Sequence, residues 1–256
     1  MWSDIVRSQA ARDGFTSYLI KNNYLAALSQ FTILELTRAK KHLKSLDSLF
    51  LELRDYIWVP TLYDQVLEQE VNNYPAGCHV QWMPLTLLID ENQRNVMSKF
   101  AHDKTLIETR DDFLKFGYDS FMNLELFKEN FPPEDNNGGY STFQAQEFAW
   151  QNVYEYLGRH FPWFLSRYWD KTGNLDTQYF PSVQIRALFL FYKYYIHGQS
   201  PERSDFFDFA HVSYSPYVDV FVTERNASNV LRHLKSRGHM LEDTEIVHVT
   251  EFIKSF

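Results

Sequence analysis

Four short apolar runs, alternating with segments of helical period, constrain this chain most. They are Tyr24-Leu-Ala-Ala-Leu-Ser29, Ile57-Trp-Val-Pro60, Tyr217-Val-Asp-Val-Phe-Val-Thr223 and Glu245-Ile-Val-His-Val-Thr250. Each has the length of a buried strand. Between the first pair, Leu43, Leu46, Leu49, Phe50, Leu53 and Ile57 fall on one helical face. Between the second pair, Asn226 to Arg237 reads as a helix, with Gly238 placed to end it. Strands joined by helices pair in parallel, and helices then cover the sheet. The pattern therefore predicts an α/β fold with a mainly parallel sheet.

Composition narrows the rest. Only 9 glycines and 9 prolines occur in 256 residues, against background usages of about 7% and 5%. So few turn-formers favour helices over a sandwich of many short strands. Helices are expected at 3–21 with Ser3 as N-cap, from near Phe31, at 61–74, 141–157, 161–170 and 181–197, and after Ser204. A polar loop is expected at 131–139. The aromatic share of 17% supplies ample core. The stretch from about 85 to 197 is helix-rich and reads as an insertion on a single domain spanning 1–256.

The lone Cys78 excludes an intrachain disulfide and a four-cysteine zinc site, and next to His79 it reads as structural. No run of about 18 apolar residues predicts a membrane span, and the start Met-Trp-Ser-Asp has no secretory pattern. A cytoplasmic protein that does not engage membranes is the expectation. The net charge of −8 excludes a general nucleic-acid binder by overall charge. Action on RNA or DNA then requires a local basic patch.

The chemistry-bearing residues cluster near the C-terminus. Asp205, Asp208 and His211 are spaced three apart, so neighbours share a helical face. Asp208 lies among Phe206, Phe207, Phe209 and Ala210, where a carboxylate needs a partner or a cation. Glu224 ends a strand, and Asp219 lies inside it. Glu35 sits early in a helix that follows a strand, at the corresponding sheet edge. Carboxylates converging from remote segments hold hard cations such as Mg or Mn. Each also has a plainer reading: Asp205 as a first-turn acid, Asp219 paired with Arg225 or facing away, Glu224 as a solvated acid at a helix start, and His211 as a hydrogen-bonded core histidine.

The stretch from Ser204 to Arg225 resembles the C-terminal motif of PIN-like nuclease domains, a helix with an Asp followed by a strand ending in Thr and an acid. Ala27-Leu-Ser-Gln-Phe-Thr-Ile-Leu-Glu35 resembles that family's strand running into a helix with an essential Glu. Together the matches cover about 30 residues in the family's order. The resemblance implies a three-layer α/β fold around a central parallel sheet, and Mg- or Mn-dependent phosphodiester cleavage, usually of RNA. It assigns Glu35 and Asp208 as metal ligands, Asp205 as neighbour or alternate, Glu224 at the position after Thr, and Asp219 as an extra acid. One departure stands out: the family's first Asp closes an opening strand, and Met1-Trp2-Ser3 looks like the residues just after it. Asp4 falls in the next helix and substitutes poorly.

Two basic groups would draw in phosphate: Arg38, Lys40, Lys41 and Lys44 after Glu35, and Arg225, Arg232, Lys235 and Arg237 after Glu224. Lys40, Lys41 and Lys44 read equally as a solvated helix face. With His211, Arg38, Lys41 and Arg225 are the candidate substrate contacts. The expected activity is a metal-dependent ribonuclease acting on single-stranded RNA, by analogy a toxin or defence effector. The alternative is a depleted fold that binds RNA or protein, or self-associates, through its aromatic middle. No Gly-x-Ser-x-Gly elbow and no Gly-rich phosphate loop occurs, which argues against a serine hydrolase and nucleotide-dependent chemistry.

Overall fold

The computed structural model describes residues 1–58, 60, 63–78, 80, 95–105, 107–108, 110–112, 115, 132–133, 139–169, 175–202 and 205–256. His79, Ser204 as an N-cap and most of the 131–139 loop lie outside these residues. The chain opens with α1 (Trp2–Ile5) and α2 (Gln9–Asn22). The single helix expected over 3–21 is thus broken, and Ser8, not Ser3, caps its main part by accepting from the Ala11 N–H at 3.1 Å. Asn23, at φ 54°, stops α2 in the left-handed region that asparagine tolerates.

Next come β1 (Ala26–Ala27), α3 (Gln30–Leu36), α4 (Leu43–Glu52) and β2 (Ile57–Trp58). Strand β1 is shorter than its apolar run because Ser29 already caps α3, accepting from the Thr32 N–H at 3.2 Å. The periodic leucines of α4 are buried as expected. Helices α5 (Tyr63–Asn73), α6 (Val96–Phe100), α7 (Thr142–His160) and α8 (Pro162–Tyr168) follow. Helix α9 (Pro181–Leu190) continues as a π-helix over Phe191–Ile196. The chain ends with α10 (Asp205–Val212), β3 (Val220–Thr223), α11 (Arg225–Ser236), β4 (Glu245–His248) and α12 (Val249–Ile253).

The protein is a mixed α/β chain, mostly helical, with small parallel sheets. Strands β1 and β2 pair in parallel with Ala26 opposite Ile57. Strands β3 and β4 pair in parallel from Val220–Glu245 to Thr223–His248. Among the described residues these are two separate two-stranded sheets, where the sequence suggested one. They share a core: Ala26, Val222 and Val247 all pack on the group that holds Trp2, Phe15, Leu46, Leu49 and Phe50. Trp2 meets Phe15 and Phe50 edge-to-face at 5.7 and 5.5 Å between ring centres.

A second core joins α7, α9, the π-helix, α10 and α11, through Phe148, Phe189, Phe191, Val212 and Leu231 among others. The later part of the expected insertion is therefore built into the same core as the C-terminal helices. A smaller seam of Phe31, Leu34, Val66, Phe207, Ala210 and Tyr214 locks α3 against α10. This seam positions the candidate site.

One remote cap ties the fold together. Buried Asp47 on α4 accepts from the Met97 N–H at 2.7 Å, and from the Ser98 N–H and O–H at 3.3 and 2.5 Å. It satisfies the start of α6, whose own N-cap residue makes no side-chain bond. Asp47→Ala is expected to cost about 3 kcal/mol by urea denaturation, because it strands two backbone donors and a hydroxyl. A loss below about 1 kcal/mol would show that α6 is held by packing alone.

Candidate functional site

The α3–α10 seam fixes which side chains meet. Phe31 and Leu34 bury one face of α3, and Phe207, Ala210 and Tyr214 bury the facing side of α10. One residue further round each helix, Glu35 and the pair Asp208 and His211 fall at the same edge of the seam. His211 Nε2 lies 3.5 Å from Glu35 Oε2. On its other side, His211 Nδ1 lies 3.4 Å from the Ser29 hydroxyl that caps α3. The Phe31 ring meets the His211 imidazole edge-on, 6.3 Å between centres. His211 is thus a bridge between helices that begin at Gln30 and Asp205, far apart in sequence.

Behind this edge lies a buried polar network. Lys193, from the π-helix, is 2% exposed. Its ammonium sits 2.6 Å from Asp205 Oδ1 and 3.6 Å from Asp208 Oδ2. The other Asp205 oxygen accepts from the Tyr194 hydroxyl at 2.7 Å and the Glu202 N–H at 2.9 Å. The π-helical turn brings consecutive residues 193 and 194 onto the two oxygens of one carboxylate, and such turns recur at functional sites. Burial raises the Tyr194 hydroxyl, and its bond to Asp205 raises it further.

Electrostatics distinguishes the acids. Burial pushes Asp208 up to about 6, with Lys193 and His211 pulling it down and Glu224 and Asp205 pushing it up. Its carboxylate is short of positive charge even with Lys193 nearby. Glu35 is lowered, first by its hydrogen bond to His211 against the opposing effect of burial, then by the charges of His211, the chain's amino terminus and Arg38.

The sequence-predicted residues divide accordingly. Glu35 meets His211, whose charge also acts on Asp208, while Asp208 itself lies beside Lys193 and feels the charge of Glu224. Asp205 does not face this edge: Lys193, Tyr194 and Glu202 occupy it, so it is an internal ion-pair partner. Asp219 is exposed just before β3, where its carbonyl accepts from the Glu245 N–H. It makes no ion pair with Arg225. Arg38, Lys40, Lys41, Lys44 and Arg225 are exposed. Arg232 and Lys235 are otherwise engaged: Arg232 binds the Ile246 carbonyl and Glu251, and Lys235 binds the Glu242 and Thr244 carbonyls. The second basic patch is therefore smaller than its sequence suggests. Cys78 is exposed.

Glu35, Asp208 and Glu224 supply the carboxylate oxygens that Mg or Mn prefers. Among the described residues, no three His, Cys, Asp or Glu side chains are gathered closely enough to hold a metal ion. Lys193, Tyr194 and Ser29 were missed as contributors. For Lys193 the signal was present, since a lone lysine in an apolar run of seventeen residues at 181–197 must find a carboxylate. No helix among the described residues is long and apolar enough to cross a membrane. Comparison with protein-family models, curated proteins and solved structures finds no significant match.

Proposed function

We propose that this protein is a divalent-cation-dependent phosphodiesterase acting on RNA, with a PIN-like three-layer arrangement. One observation supports the reading: His211 lies 3.5 Å from Glu35 and its charge also acts on Asp208, on which Glu224 acts as well. Glu35 and Asp208 would hold Mg or Mn, with Glu224 adding negative charge. Such a cation makes bound water a stronger nucleophile and stabilises charge gathering on the phosphate. Exposed Arg38, Lys41 and Arg225 would draw in the strand, and His211 keeps the Glu35 carboxylate charged and oriented.

The test is cleavage of single-stranded RNA with manganese. Glu35→Ala together with Asp208→Ala is expected to lower the rate by about a hundredfold or more, since metal-centred charge stabilisation supplies several kcal/mol. Unchanged activity in that double variant would sink the assignment. The second reading is a non-catalytic module, favoured by Lys193, whose ammonium already neutralises Asp205 and reaches Asp208. Calorimetry separates the two. Saturable manganese binding lost in the double variant supports the enzyme, and no binding supports the module. A role in defence or growth inhibition belongs to the first reading alone, and a cytoplasmic location is proposed under either.

A further inference from the structure

Away from the carboxylate edge, the C-terminal end of α11 faces the start of α7 across a cavity of about 180 Å³. Its walls include Ser141, Thr142, Tyr192, His233 and Arg237. The basic side chains here form a connected group. Arg237 Nε lies 3.4 Å from His233 Nε2, and His233 Nδ1 lies 3.1 Å from His197 Nε2. His239 Nε2 lies 2.9 Å from the Tyr192 hydroxyl. Among the described residues no carboxylate forms an ion pair with Arg237 or with these three histidines. In a chain of net charge −8, such a grouping is a local concentration of positive and protonatable groups.

Charge at this place is incompletely balanced. Burial lowers His239, and the neighbouring Arg237 charge lowers it further. Burial lowers His197, and His233 adds to that. The opposite wall supplies the Ser141 and Thr142 hydroxyls at the start of a nineteen-residue helix, whose partial positive charge acts in the same sense. The volume decides the size of ligand. It is well below the roughly 300 Å³ of a drug-sized site, and about six times the ~30 Å³ share of one water. That accommodates a tetrahedral oxyanion with a small organic group.

We propose that this cavity binds phosphate, either as the inorganic ion or as the terminal phosphate of a small monoester. Arg237 supplies charge-assisted donors from the guanidinium nitrogens that do not bind His233, while His233, Tyr192, Ser141 and Thr142 line the walls. The inference is independent of the nuclease reading.

The probes are inorganic phosphate and ribose 5-phosphate, titrated into the full chain by calorimetry while the imidazole C–H resonances are followed by NMR. Saturable binding at one site, shifting the His233 resonance, is expected. Arg237→Gln, at an exposed position, should keep the thermal unfolding temperature and weaken binding by about tenfold or more. Arg237→Lys should recover part of it. Tighter binding of ribose 5-phosphate identifies the monoester as the occupant, and equal or weaker binding identifies the inorganic ion. Absence of saturable binding, an unmoved His233 resonance, or equal affinity in a folded Arg237→Gln variant would overturn the proposal.

Discussion

Replacing Lys193 by methionine is expected to destabilise the protein by about 3–5 kcal/mol, the usual cost of removing one partner from a buried ion pair. Methionine keeps most of the stem volume and removes the ammonium. Asp205, 6% exposed, would keep only the Tyr194 hydroxyl and the Glu202 N–H. Asp208, already pushed up to about 6, would lose the charge that most lowers it. For a chain of this size the loss corresponds to roughly 10 °C in unfolding temperature. Adding Asp205→Asn should restore much of it, because the neutral amide no longer needs a cation. Chemical denaturation of both variants checks this. A single variant within 1 kcal/mol of the parent would show that Lys193 contributes no net stability.

The second large effect concerns Glu70. It is buried on α5 at the start of α9, where Oε1 accepts from the Ser182 N–H at 2.9 Å and Oε2 from the Ser182 hydroxyl at 2.7 Å. The Tyr217 hydroxyl also donates to Oε1 in a short hydrogen bond. Burial outweighs these donors and raises Glu70 to about 7. An acid raised on folding binds its proton more tightly in the native state than in the unfolded one. Its contribution is fully present below about 4.5 and is lost as pH rises towards 7. The integrated loss is about 3 kcal/mol. Asp208 is also raised and works in the same direction, whereas the lowered Glu35 works against it.

Glu70→Gln isolates the effect. The amide Oε1 retains the Ser182 and Tyr217 donors, and its N–H₂ donates to the Ser182 oxygen, as protonated Glu70 would. The variant should match the parent at pH 5 and exceed it at pH 8, by urea denaturation at both. A difference independent of pH would mean that Glu70 titrates in its ordinary range.

Much of the local structure is legible in the sequence. The apolar face of Leu43, Leu46, Leu49 and Phe50 is buried as its period requires. The short runs form parallel pairs, and Gly238 follows α11 at φ 72°. Element ends were less legible. Ser8 displaced Ser3 because the chain turns between α1 and α2. The helix expected over 181–197 changes to π-helix at Phe191, where Lys193 and Tyr194 must both reach Asp205. For the site, the sequence proposed that Glu35, Asp208 and Glu224 converge, and the contact found is between Glu35 and His211, with Asp208 beside Lys193. It also offered Asp205 and Asp219, which are an internal ion-pair partner and an exposed residue.

Period and residue type determine which face of each helix leaves water, because that depends only on neighbours three and four positions away. They therefore fixed the helices, the parallel strand pairs and the need for Asp208 to find compensation. Which charge answers which depends on packing between segments far apart in the chain. Only the seam of Phe31 and Leu34 against Phe207 and Ala210 brought Glu35 to His211, and only the π-turn gave Lys193 to Asp205 rather than to solvent.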